Sequence, residues 1–270
     1  MSEDISAALA GWDFHADDLQ VRMIVGDDGR ERIQMRIDLG VLQMECEGRP
    51  DGQRPDGFDS FLDQYEARRN ETETAGDEFS LEPDACSILM REGLQYYHRY
   101  LSAFHLQLYD MVARDTERNL RLFAFVARYA SRRRDKIQFD QYRPYVAMMR
   151  SRALALKELA RNDHAAALEK IDDGVRLIRE FLEEYHQGDR EADCSELSFL
   201  LRWRRDVQHD RPTGPLERLE EQLELAVALE IYEEAARLRD QIRKLKGAEA
   251  PEAPGLGMTA TQPGSIIQDQ

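Results

Sequence analysis

Cysteine is scarce in this chain, and its spacing argues against a covalent or metal-bound framework. The 270 residues contain 3 Cys, at positions 46, 86 and 194. An odd number of widely separated cysteines with no C-x-x-C pair fits neither a set of disulfides nor a zinc ribbon. A lone Cys is usually a small buried apolar residue, and we expect that of all three.

Long apolar runs are also missing. Arg, Asp or Glu interrupts every helix-like stretch, so no window reaches the roughly 18 to 20 apolar residues that a membrane span needs. Residues 1–12 are acidic and polar, unlike the basic start and apolar run of a secretory signal. We therefore expect a cytoplasmic protein that makes no membrane contact.

Glycine and proline are few, 16 and 9 residues, while 42% of the chain is apolar and 33% is charged. This composition is typical of a helix-rich globular protein. The net charge of −16 is concentrated in residues 1–82, which carry 8 basic and 21 acidic side chains, a charge of −13. Because such a surface repels phosphate, we expect no nucleic-acid binding by this third of the chain.

Alternating apolar residues predict strands between Leu19 and Met44. The first run contains Leu19, Val21, Met23 and Val25, and the second contains Ile33, Met35, Ile37, Leu39 and Val41. The turn-forming residues 26–29 separate the two runs and predict a β-hairpin. A lone hairpin is unstable in water, so we expect residues 1–82 to be an acidic β-hairpin and a turn-rich segment packed on the following helices. In that segment Arg-Pro-Asp-Gly occurs twice, at residues 49–52 and 54–57.

Helical spacing of apolar residues dominates residues 83–208 and predicts a bundle of about five helices. Two of them, from Pro144 to Tyr185, resemble a tetratricopeptide helix pair. Residues 209–215 contain two prolines and a glycine and are predicted to be a linker. Residues 247–270 have little apolar bulk and are predicted to be a disordered tail. The predicted fold class is thus α+β, mostly α, with a C-terminal helical hairpin.

Residues 216–246 form the most specific pattern in the chain. Leu216, Leu219, Leu223 and Ala226 share one helical face, and Tyr232, Ala235, Ala236, Arg239 and Ile242 recur on one side of a second helix. The short alanines are expected to let the two helices approach closely. This segment resembles the UVR motif, the helical hairpin shared by the B and C subunits of bacterial nucleotide-excision repair. The matching positions are Tyr232, Glu234, Ala235, Ala236, Arg239, Asp240 and Ile242.

The resemblance implies contact with a protein, in which those seven residues bind the partner. The favoured function is a non-catalytic cytoplasmic adaptor or regulator, without a cofactor, whose partner is another UVR-bearing protein or a second copy of itself. The rest of the chain resembles only uncharacterised bacterial proteins, and it contains no phosphate loop. The competing interpretation is that the hairpin merely completes the chain's own bundle.

Two further hypotheses remain open. Arg132, Arg133 and Arg134 form the densest basic run, and aromatic residues follow closely, which suits nucleic-acid contact. The protein would then be an accessory factor in nucleotide-excision DNA repair; otherwise the run is a solvated helix end whose cations offset the helix dipole. A third hypothesis is an enzyme of unknown type with its site near the Arg-Pro-Asp-Gly loop. No catalytic set and no metal site are predicted.

Overall fold

The computed structural model describes residues 4–210, 219, 223 and 232–248, and in the last range it describes the side chains of residues 236–244. By its internal contacts the chain divides into two compact units, residues 1–210 and 211–270. The predicted linker at residues 209–215 spans this boundary, and its residues from 211 onward lie outside the described residues, as does the predicted tail from residue 249.

The first unit begins with a short helix and an antiparallel sheet. Helix α1 is Ser6–Leu9, and the strands are β1 (Val21–Val25), β2 (Glu31–Ile37) and β3 (Gly40–Glu45), in the order β1-β2-β3. Met23 lies opposite Ile33, and Ile33 lies opposite Met44, so one apolar row crosses all three strands. Ile33 is fully buried and belongs to the main core. The sheet therefore packs one face on the helices, as expected for a half-buried antiparallel sheet.

The predicted β-hairpin is confirmed as β1 and β2, but the sheet contains a third strand, β3, that was not predicted. The second apolar run breaks at residues 38–39, where the chain reverses between β2 and β3, and Leu39 is 88% exposed. The Arg36 guanidinium satisfies the carbonyls of this reversal, donating to Gly40 O at 2.8 Å and also to Ile37 O. Alternation alone could not show the break, because Leu39 continues the apolar period through the turn.

The turn-rich segment contains a helix that the sequence pattern did not indicate. Helix α2, Phe61–Thr74, has almost no apolar face, with Leu62 its one buried residue. Ser60 caps it by accepting from the Asp63 amide at 3.1 Å. The buried Glu92 accepts from the Phe61 amide at 2.8 Å and from the Leu62 amide at 3.2 Å. This helix is thus fixed at its N-terminus by tertiary hydrogen bonds.

Six α-helices, one more than predicted, form the bundle of the first unit. They are α3 (Pro83–His105), α4 (Tyr109–Tyr129), α5 (Arg133–Asp140), α6 (Arg143–Leu159), α7 (His164–Glu184) and α8 (Ser195–His209). The unpredicted helix is α5, which has only 8 residues and a polar sequence. The fold class is confirmed as α+β and mostly helical, with a small N-terminal sheet.

Helices α6 and α7 form the predicted helical pair, and they approach each other closely at Gly174. A Cβ built at Gly174 would lie 2.6 Å from Ser151 Cβ, so only glycine fits this crossing. The Ser151 hydroxyl donates to Lys170 O at 2.6 Å, which ties the two helices together. Ala167, in the first turn of α7, is fully buried as well.

The second unit contains helix α9, Tyr232–Ala248. Leu219 and Leu223 are also helical, and both pack against Leu238, which is 5% exposed. Helical residues on either side of residues 224–231 therefore pack together, which is the arrangement of a helical hairpin. No helix among the described residues is both long and apolar enough to cross a membrane.

Candidate functional site

The buried side of α9 differs from the predicted side. Of the nine side chains described from residue 236 to 244, Leu238 and Ile242 are buried and the other seven are exposed. Because residues four apart share a helical face, Leu238 and Ile242 form one apolar stripe, and Leu238 contacts Leu219 and Leu223. The predicted close contact through Ala236 is wrong, since Ala236 is exposed.

The other predicted partner-binding residues differ in their burial, and only some of their side chains are described. Ile242 is buried, whereas Arg239 and Asp240 are exposed. Asp240 lies 3.8 Å from the Arg243 guanidinium, an ion pair one helical turn along α9. Tyr232, Glu234 and Ala235 lie within α9, but their side chains lie outside the described residues. Leu238, which sequence reasoning missed, could have been found from its spacing of four residues from Ile242.

The basic segment, residues 128–136, lies around the junction of α4 and α5. Leu81 fixes this junction, because its amide donates to Tyr129 O at 2.8 Å and its carbonyl accepts from the Ser131 amide at 3.0 Å. Arg132 is the N-cap of α5, and Arg133 and Arg134 are its first residues. All three are exposed, and none has a side-chain ion pair or hydrogen bond within the described part of the chain.

This placement corrects the suggestion that the segment's cations offset a helix dipole. Arg128, in the last turn of α4, is placed to do so. Arg132, Arg133 and Arg134 instead lie at the N-terminus of α5, where the dipole is positive and favours anions. Helix stabilisation therefore does not account for these three arginines.

A tyrosine-lined cavity of about 680 Å³ opens beside the basic segment. Its walls come from α3 to α6 and the start of α8, and include Tyr97, Tyr100, Tyr142, Tyr145, Gln138 and Glu196. The Tyr97 ring lies edge-on to Tyr100 at 5.5 Å between centroids and 6.2 Å from Tyr145. Burial raises the pKa values of Tyr100 and Tyr145, so both hydroxyls stay protonated at neutral pH.

Two of the polar groups that line this cavity, the Tyr100 hydroxyl and the Glu196 carboxylate, differ in their hydrogen bonds to the protein. Tyr100 is 1% exposed, yet its hydroxyl has no hydrogen bond to any described residue. Glu196 accepts from the Ser195 hydroxyl at 2.9 Å and has no cationic partner among the described residues. The sequence did not indicate this cavity, because the convergence of its tyrosines depends on how α3 packs on α5 and α6.

The first Arg-Pro-Asp-Gly copy belongs to a buried ionic network, defined here as Arg49, Glu92, Arg99, Asp115 and Arg118. Arg99 binds Asp115 through two bonds, of 2.6 and 2.9 Å, and donates to the carbonyls of Glu45 and Gly48 at 2.8 Å each. Glu92 pairs with Arg118, and its Oε1 lies 3.6 Å from Arg49 Nε. The network joins the loop after β3 to α3 and α4.

The acidic residues of the two loop copies bind groups of the protein itself. Asp51 pairs with Arg49 at 2.6 Å and accepts from Gln95 at 3.0 Å, and Asp56 of the second copy accepts from the Gln64 side-chain amide. Among the described residues, no three His, Cys, Asp or Glu side chains are grouped to hold a metal ion. The first copy thus anchors the loop to the bundle.

Comparison with known proteins gives one match. Residues 214–248 match the family model described as the UvrB/uvrC motif, UVR. The match contains the predicted motif at residues 216–246, and α9 ends at the same residue as the match. The chain matches no curated protein and no solved structure. UVR motifs occur in DNA-repair proteins and in proteins that contact other proteins.

Proposed function

We propose that the protein is a non-catalytic cytoplasmic adaptor or regulator that binds a partner protein through its UVR hairpin. The motif match at residues 214–248 carries this proposal. The packing of Leu238 on Leu219 and Leu223 supports it, because a hairpin that satisfies its own apolar stripe leaves its opposite side available. The predicted linker at residues 209–215 would tether the hairpin to the bundle.

The partner-binding side of α9 is the side that faces away from Leu238. Ala236, Asp240 and Arg243 follow one another at steps of four and three residues, so they share a helical face, and all three are exposed. The short Ala236 side chain would let a partner helix approach closely, while Arg239 and the Asp240–Arg243 pair would set its register. A partner of this kind is another UVR hairpin or a second copy of this chain.

Affinity capture with the full chain tests the proposal. Proteins held by the full chain are identified by mass spectrometry, and the affinity of each purified candidate is then measured by titration. We expect Ala236→Trp to weaken binding at least about tenfold, a loss of ~1.4 kcal/mol, because the large side chain blocks the approach. Arg239→Ala should weaken it less. Arg161→Ala, an exposed arginine of the first unit, is the matched control.

Truncation after Asp210 separates the adaptor from the interpretation in which the hairpin completes the bundle. The adaptor predicts loss of the partner together with a nearly unchanged melting temperature of residues 1–210. A large fall in melting temperature would show that the hairpin is a structural cap. Retention of the partner by the truncated chain would also contradict the proposal.

A second candidate function is an accessory role in DNA excision repair, favoured by the exposed Arg132, Arg133 and Arg134. These arginines have no carboxylate partner among the described residues, so they can neutralise phosphates without first breaking an ion pair. Replacing all three by Glu should abolish DNA binding in gel-shift titrations at two salt concentrations. Binding that is unchanged in this variant would remove the candidate.

A further inference from the structure

The tyrosine-lined cavity has the dimensions and wall chemistry of a small-molecule site. Ligand pockets are mostly apolar and aromatic, enclose about 300 to 1,000 Å³ and carry a few polar groups, and this cavity measures about 680 Å³. Asn119, Gln138 and Gln141 add side-chain amides to its wall. Aromatic rings with amides are suited to a planar heterocycle that stacks and forms hydrogen bonds at its edge.

The Tyr100 hydroxyl is the strongest sign that the cavity accepts a polar ligand. The residue is 99% buried, with 1% of its surface exposed, and its hydroxyl has no partner in the described part of the chain. The hydroxyl is not among the fully enclosed unpaired side-chain atoms of the described residues, so its small accessible area is open to the cavity that Tyr100 lines. A polar ligand atom could bond this hydroxyl, whereas a purely apolar ligand would bury it without a partner at a cost of about 1–3 kcal/mol.

Arg134 does not line the cavity, but it lies one helical turn before the wall residue Gln138, a position that suits an anionic group on the same ligand. Gln138 lies in the cavity wall, and Arg134 precedes it by four residues on α5, so both lie on one helical face. Arg134 is exposed and has no ion pair among the described residues. A guanidinium can bind a phosphate through two parallel hydrogen bonds.

We propose that this cavity binds a nucleoside phosphate, with the base among Tyr97, Tyr100 and Tyr145 and the phosphate at Arg134. The exposed ring of Tyr142 stands at the mouth and covers the base by stacking. Glu196, the one carboxylate among the described wall residues, accepts from an exocyclic amino group of the base. The proposal is independent of the adaptor function and shares only Arg134 with the DNA-binding candidate.

Calorimetric titration of the full chain with AMP, adenosine and inorganic phosphate tests this proposal. We expect AMP to bind more tightly than adenosine, and phosphate alone to bind weakly. Arg134→Ala should lower the AMP affinity about tenfold and leave the adenosine affinity unchanged. Tyr100→Phe should weaken both ligands severalfold, because it removes only the hydroxyl. Arg161→Ala is the matched control and should change neither.

Two further titrations test the nature of the ligand. One distinguishes a free nucleotide from the end of a nucleic-acid strand, and the other tests whether the cavity binds a cation instead. A short 5′-phosphorylated oligonucleotide that binds more tightly than AMP, with the same dependence on Tyr100, would identify a strand end as the source. Equal or weaker binding would identify a free nucleotide. The proposal is overturned if neither ligand binds at millimolar concentration, if Arg134→Ala affects AMP and adenosine equally, or if tetramethylammonium binds the cavity in place of AMP.

Discussion

Two groups of arginines on neighbouring parts of the bundle have opposite environments. Arg99 is buried and pairs with Asp115, and Arg118, whose side chain is 10% exposed, pairs with Glu92. Arg132, Arg133 and Arg134 are instead exposed and have no ion pair within the described residues. A guanidinium removed from water must be compensated by charge and hydrogen bonds, while an exposed one need not be. The ionic network therefore serves the fold, and the basic segment remains available to a ligand.

Removal of the Asp115 carboxylate should have the largest effect. Asp115→Ala leaves the Arg99 guanidinium buried with only two carbonyl acceptors, and we expect a loss of about 3–5 kcal/mol of unfolding free energy. Urea denaturation followed by circular dichroism measures it. Arg134→Ala, in the basic segment, should change stability by less than about 0.5 kcal/mol.

The double variant Arg99→Met with Asp115→Leu sharpens this result. It removes both charges together, so most of the stability lost in Asp115→Ala should return. If Asp115→Ala alone costs less than about 1 kcal/mol, Arg99 finds other partners and the network is not the anchor described above.

Glu92→Gln should have a smaller and more local effect. Gln can still accept from one amide at the start of α2, but it loses the charge that pairs with Arg118 and lies near Arg49. We expect a loss of about 1–3 kcal/mol, with faster hydrogen exchange at the Phe61 and Leu62 amides. The control Glu117→Gln removes a carboxylate that is 61% exposed and pairs with Arg150, and should cost less than about 1 kcal/mol. Exchange that is unchanged at α2 would show that Glu92 does not cap that helix.

The sequence predicted the elements whose side chains repeat with a regular period. The strand region, the longer helices and the UVR motif all have such periods, and they were found. Helix α2 was missed because its first amides donate hydrogen bonds to the distant Glu92 carboxylate, and the helix has almost no apolar face. The turn at Leu39 was missed because the Arg36 side chain, and not a glycine-rich pair, satisfies it.

The site residues show the same division between local and distant causes. The basic run and the α9 positions are contiguous, so they could be named from the sequence. The network could have been suspected, because Asp115 and Asn119 interrupt the apolar spacing of Val112 and Leu122 and are buried with them. The tyrosine cavity could not, since Tyr100 and Tyr145 meet only after α3 and α6 pack. Ala236 was assigned to the wrong side because short alanines suit either an internal or an external helix contact.

The smallest changes in stability are expected from charge reversal of one arginine on each side of the α4–α5 junction. Arg133 is in the first turn of α5, at the positive end of that helix dipole, so Arg133→Glu should stabilise the protein by about 0.3–1 kcal/mol. Arg128 is in the last turn of α4, at the negative end, so Arg128→Glu should destabilise it by a similar amount. Arg128→Glu also loses the contact between Arg128 Cζ and the Tyr129 ring, 5.2 Å away.

Both stability changes are measured by thermal and urea denaturation at low salt. They should become smaller in 1 M NaCl, where charges are screened within about 3 Å. If Arg133→Glu destabilises the protein at low salt, Arg133 contributes to the fold, and the contrast between the buried network and a basic segment left free for ligands does not hold.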